Sequence, residues 1–221
     1  MIILLSGHIV SAEEIRCGSH DIIVKYSSAA DVTDVCEGVS DAIRFLEANG
    51  VKKKGGFTIN IVQKIQTSLP IDILAKYNLK TNQIDILSLE RFLKLKKKTL
   101  FGLKIDSILY RSFIVHEATH AIVLQNIQSQ QSSRAAQEYI AYTVQLATLP
   151  IEYQKKILER YQIDGFNNDE EINMVLYCLD PDSFAVMAYK HFLRAENGAA
   201  FYTRILNGEL QLDEEFYLIC R

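Results

Sequence analysis

The chain has 221 residues, 48% apolar and 23% charged, the length and composition of one globular domain with room for a real core. Ten glycines and three prolines are too few turn signals for a sandwich of many short strands, and disorder or coiled coil is excluded for the whole. A net charge of −3 argues against nucleic acid as a partner. The runs Lys52 to Lys54 and Lys96 to Lys98 read as solvated turns or faces.

No stretch reaches the ~20 apolar residues of a membrane span. Ile2 to Val10 is an apolar run, and Val10-Ser11-Ala12 has the small-residue spacing of a signal-peptidase site. Residues 1–12 therefore read as a signal peptide or as a short buried N-terminal strand. The first implies export, the second a cytoplasmic protein. Cys17, Cys36, Cys178 and Cys220 all follow Ala12 and form no CxxC pair, so a thiolate zinc site has no support. An even count fits two disulfides in an oxidising compartment. Four buried thiols are the alternative, and spacing does not fix pairing.

Residues 13–221 read as one domain. Between about 20 and 105, strands and a helix alternate: a strand over 21–26, a helix over 30–48 stopped by Asn49-Gly50, and strands over 57–62 and 83–87, the last with Ile84 and Ile86 on one face and Asp85 on the other. From about 106 to 148 two helices are expected. The first is capped by Asp106 or Ser107 and is apolar nearly all round, hence buried. A polar linker, Gln128 to Ser133, leads to the second, from about Arg134 to Ala147. Residues 150–221 read as a helical lobe, with Pro150 and Pro181 at first helical positions and Asp180 as a cap.

The chemistry lies on the central buried helix. His116-Glu117-Ala118-Thr119-His120 is an HExxH motif. Positions four apart share one helix face, so both imidazoles reach one Zn2+ at ~2.0–2.1 Å. Glu117, beside that face, is placed to take a proton from a zinc-bound water. Two histidines and a glutamate are costly to bury without a role. The extended HExxHxxGxxH pattern fails, since Val123 and Asn126 hold its later places. The third ligand is expected to be Glu138. From His120 to a helix end near Ile127 is ~10 Å of rise, and a helix returning from Ser132 reaches Glu138 after ~9 Å. An antiparallel hairpin brings the three residues level.

His116-Glu117-x-x-His120 followed by Glu138-x-x-Ala141 resembles the gluzincin class of zinc metallopeptidases, and the upstream order of elements is similar to the N-terminal half of the zincin fold. The likeness covers residues 20 to about 148. It implies an α+β fold, with a small twisted sheet packed on the active-site helix and a mostly helical C-terminal lobe. It implies His116, His120 and Glu138 as zinc ligands and Glu117 as general base. It also implies that the strand before the active helix, here Ile84, Asp85 and Ile86, pairs with substrate backbone. Where many members of the class carry an aspartate bonded to the first histidine, this chain has Tyr142, whose hydroxyl can orient without charge. The class also wants a downstream donor for the developing oxyanion, for which Tyr189, His191 and Tyr202 are available. The expected function is zinc-dependent hydrolysis of peptide bonds in a peptide or protein substrate. The rivals are a zinc hydrolase acting on another bond and a non-catalytic, zinc-stabilised binding protein.

Overall fold

A computed structural model describes residues 13–18, 21–66, 73–95, 99–127, 133–194 and 197–210. The leader or strand expected over residues 1–12, the Lys96 to Lys98 run, most of the 128–133 linker and Cys220 lie outside the described residues. The fold is α+β. Among the described residues, no helix is long and apolar enough to cross a membrane.

Five strands form one mixed sheet in the order β1-β2-β3-β5-β4. β1 (Glu13–Arg16) runs antiparallel to β2 (Ile22–Tyr26). β2, β3 (Phe57–Val62) and β5 (Gln83–Leu87) are mutually parallel, while β4 (Ala75–Asn78) closes the far side antiparallel to β5. Period-two alternation sets which face is covered: Ile22 and Val24, Phe57, Ile59 and Ile61, and Ile84 and Ile86 are all buried. Parallel neighbours need a crossover. α1 (Val32–Ala48) supplies the first, burying Val35, Val39, Ala42, Ile43 and Leu46. It ends where Gly50 takes φ +82°, a conformation that costs glycine little.

The strand order overturns one expectation. β5 is paired on both sides, by β3 and by β4, so Ile84, Asp85 and Ile86 are interior and have no free backbone edge to offer. The side chain of Asp85 accepts from Asn60 at 2.7 Å on the neighbouring strand. The free edge beside β5 belongs to β4, whose four polar-patterned residues carry no strong strand signal.

α2 (Leu89–Leu93) and the short hairpin β6 (Thr99–Leu100) and β7 (Leu103–Lys104) lead to α3 (Ser107–Leu124). Asp106 caps α3, accepting from the Leu109 N–H at 2.9 Å. α3 is covered on several sides, by α1, by β4 and β5, and by α4 (Arg134–Ala147), which is why its sequence shows no single apolar stripe. Contact with α1 is close: a Cβ on Gly38 would stand 3.0 Å from the Arg111 carbonyl oxygen and 3.1 Å from the Ile114 side chain. The far end is tied to the 52–55 loop, where Gln125 Oε1 accepts from the Lys54 and Gly55 amides at 2.9 Å each.

α5 (Ile151–Arg160), α6 (Met174–Leu179), α7 (Pro181–Phe192) and α8 (Gly198–Leu206) make the helical C-terminal part. Pro150 precedes α5 as its N-cap, whereas Pro181 opens α7 behind the Asp180 cap. α7 packs on α4, as does α6. Cys17 and Cys36 form a disulfide joining the end of β1 to α1, and Cys178 is also disulfide-bonded.

Candidate metal centre

α3 and α4 lie against each other, and their facing ridges carry the polar groups. On α3, Ser112, His116 and His120 follow at intervals of four, a ladder along one face. On α4, Glu138 and Gln145 are seven residues apart, two turns on one face. His116 and Glu138 are buried, at 6% and 5% exposure.

The donors converge. His116 Nε2 and His120 Nε2 are 3.1 Å apart, and Glu138 Oε2 stands 3.4 Å from the first and 3.7 Å from the second. Donors at ~2.05 Å from a tetrahedral zinc lie ~3.3 Å from one another, which matches the observed triangle. Glu138 Oε2 is buried without a hydrogen-bond partner, a state that costs ~1–3 kcal/mol or more for a charged group. Its companion oxygen faces the Arg134 guanidinium at 3.8 Å. Two imidazole nitrogens and one carboxylate oxygen at these separations form a group that could hold a metal ion, and their chemistry suits zinc. Among the described residues, no other group of three or more His, Cys, Asp or Glu side chains is arranged to hold a metal.

Electrostatics follow from the crowding. Burial opposes ionisation of Glu138, but His120 and His116 outweigh it and hold this carboxyl well below the ordinary carboxylate range. Burial pushes His120 down, but the Glu138 carboxylate and the Glu117 charge together outweigh that and raise it. Glu117 goes the other way: burial lifts its carboxyl, the two imidazoles oppose the lift, and the Glu138 charge adds to it. The side chain of His120 is 14% exposed, against 7% and 6% for His116 and Glu138, and Glu117 is partly exposed too. The centre therefore opens on the His120 and Glu117 side.

Tyr142 does not do what its position suggests. It meets the His116 ring edge-to-face, centroids 4.5 Å apart, while the partner of His116 Nδ1 is Gln145 Oε1 at 3.1 Å. Gln145 Nε2 donates in turn to Ser112 Oγ at 3.2 Å, and Ser112 Oγ–H donates to the Leu109 carbonyl at 2.8 Å. The Phe113 ring lies 5° from parallel to His116, centroids 6.2 Å apart.

None of the three downstream candidates for the oxyanion reaches the centre. Tyr189 donates to Gln154 at 2.9 Å. His191 Nδ1 bonds the Tyr139 hydroxyl at 2.7 Å among Phe166 and Phe201. Tyr202 is fully buried and stacks on Phe192. They are core because α7 and α8 turn these positions inward. Besides Tyr142, a second phenol sits near the centre, Tyr177 on α6, its ring 6.2 Å from that of Tyr142. Burial raises its pKa first, and the charge of Glu138 raises it further. A cavity of about 150 Å3 lies elsewhere, lined by Asp41, Arg111, Ser112, Val115 and Leu149 among others. It shares no residue with the donor triad.

The sequence signal that identifies Gln145 is weak but real: it is the one amide two turns beyond Glu138 on an otherwise apolar ridge. Tyr177 has no signal, since nothing local says which face of α6 meets α4. The chain belongs to DUF6639, a family of unknown function, matched over residues 22–215. No curated protein and no solved structure matches it.

Proposed function

We propose that the protein is a zinc-dependent peptidase of gluzincin-like, zincin-fold type. The observation that carries the reading is the donor triangle of His116, His120 and Glu138, with edges of 3.1, 3.4 and 3.7 Å and a buried carboxylate oxygen that accepts no hydrogen bond. Zinc held there supplies a Lewis acid for a carbonyl and brings the pKa of a coordinated water toward ~7. The chain's own residues do the rest. Glu117, adjacent to His116 and lifted by burial, takes the proton of the attacking water and hands it to the departing amine. Tyr177, half-buried beside the centre, is the donor best placed for negative charge developing on the carbonyl oxygen.

An extended substrate needs a free strand edge. β4 offers one: it is the last strand of the sheet and passes close to α3. A peptide added along it would make main-chain hydrogen bonds beside the metal centre. Glu117 favours catalysis over a purely structural zinc site, which has no use for a base. The Cys17–Cys36 disulfide supports a place in an oxidising, exported setting.

The test is metal content together with a broad peptide-hydrolysis screen on the purified protein, with Glu117→Gln as control. The expected result is about one zinc per chain in both proteins, with hydrolysis lower by on the order of 10²–10⁴ in the variant. Zinc bound with no hydrolysis of any peptide would move the reading to a non-peptide hydrolase or a binding protein. A protein that takes up no zinc would end it.

A further inference from the structure

Hydrogen-bond direction can be followed from Ser112 to the centre. Ser112 Oγ–H donates to the Leu109 carbonyl at 2.8 Å, so its hydrogen is committed and Oγ can only accept from Gln145. The amide of Gln145 therefore turns its NH2 to Ser112, at 3.2 Å, and its oxygen to His116 Nδ1, at 3.1 Å. An amide oxygen only accepts. The neutral His116 ring then carries its proton on Nδ1 and leaves the Nε2 lone pair bare, 3.1 Å from His120 Nε2 and 3.4 Å from Glu138 Oε2. All three side chains in the relay are buried: Ser112 at 3%, Gln145 at 1% and His116 at 6%.

Resting on the zinc reading above, we infer that Ser112 and Gln145 are positioning residues that lock His116 in the tautomer able to bind metal. Each fixes something different. Gln145 holds the ring through Nδ1, with the rings of Phe113 and Tyr142 against it. Ser112 fixes which way the amide points. Without the serine hydroxyl nothing distinguishes the two ends of the amide. A flipped Gln145 would aim NH2 at Nδ1, stabilise the Nε2–H tautomer and block the lone pair the metal needs. The device is neutral. It orients the imidazole as a carboxylate would, but without adding charge beside the donor set, so a carboxylate in place of the amide should tighten metal binding.

The experiment uses the full chain, metal-stripped and 15N-histidine labelled, with Zn2+ as the probe. NMR of the wild type should show His116 as the Nδ1–H tautomer before any metal is added, and Ser112→Ala should show a mixture of tautomers. Zinc titration should give a Kd raised 10–100-fold in Gln145→Leu, by a smaller factor in Ser112→Ala, and lowered in Gln145→Glu, the first range being usual for loss of a ligand's supporting partner. Melting in chelator reports folding separately, and a structural role alone would change melting without changing the tautomer. An Nε2–H wild-type His116, or a Gln145→Leu protein that folds and binds zinc with unchanged Kd, overturns the inference while leaving the zinc site standing. Glu138→Ala retaining wild-type zinc affinity would strike the zinc reading itself. Should Gln145→Leu not fold, the wild-type tautomer and Ser112→Ala decide.

Discussion

Glu138→Ala removes the one carboxylate in the donor triangle and leaves two imidazoles 3.1 Å apart. The useful readout is the increment in stability that zinc adds, because each protein's own melting in chelator serves as its baseline. Metal bound only to the native state stabilises it by RT ln(1 + [Zn]/Kd). With free zinc at 1,000 times the wild-type Kd, that increment is ~4.1 kcal/mol. A chain of this size moves ~2–4 °C per kcal/mol, so zinc should raise the wild-type melting temperature by ~8–16 °C. Losing a ligand should weaken binding by more than the 10–100-fold seen for a supporting contact. At 1,000-fold the increment falls to ~0.4 kcal/mol, or ~1–2 °C. Calorimetry with and without chelator, at one zinc concentration, measures both numbers. A Glu138→Ala protein whose melting temperature still rises by the full wild-type amount refutes the assignment. The buried Oε2 would then need another explanation.

Four further outcomes are expected. If β4 is the docking edge, peptide substrates N-methylated at alternate backbone positions should lose turnover with a period of two residues, and a loss independent of position would exclude strand addition. No cysteine is free among the described residues, Cys17, Cys36 and Cys178, so thiol titration of the unfolded, unreduced protein should find at most one thiol. Replacing Cys17 and Cys36 together by serine, which opens a loop of sequence separation 19, should cost ~3 kcal/mol by denaturant unfolding, and full thiol reactivity in the native-source protein would place it in a reducing compartment. The Tyr153 hydroxyl donates to the α3 cap Asp106, and that bond, with lesser help from burial, holds the phenol up at about 12. A phenol whose folded pKa is raised contributes stability that is complete below ~10 and fades as pH climbs from there toward 12. The stability gap between wild type and Tyr153→Phe should therefore shrink over that window, and a constant gap would show that the bond does not form.

Local features are legible in the amino-acid order alone. The span of α1 and its stop at Asn49-Gly50, the Asp106 cap, and the burial of α3 follow from periodicity and capping, which depend on neighbours within a few residues. The HExxH pair is legible for the same reason: the helix alone fixes the distance between positions four apart. Glu138 is reachable because two short rises along one helical hairpin must match. Chain connectivity constrains that closely, and the triangle at His116, His120 and Glu138 fits it.

The features that local patterns miss depend on how elements meet. The sequence places β5 shortly before the HExxH helix, but not which strand lies outside it. That is decided when β4 pairs antiparallel against it and takes the edge. Tyr142 has the right offset from Glu138 to reach His116, yet the rotation of α4 against α3 presents its ring and brings Gln145 to the nitrogen. A rotation of one residue about a helix, ~100°, changes every partner while leaving the spacing pattern intact. Tyr177 comes to the site, and Tyr189, His191 and Tyr202 do not, because the docking of α6, α7 and α8 on α4 is set by side-chain packing over long sequence separations. The sequence by itself determined the helices, their caps and the HExxH spacing, all interactions closed within a few turns. Only the tertiary structure decided the free strand edge, the partner of His116 and the phenol at the centre, since each rests on the relative rotation of elements that no local period encodes.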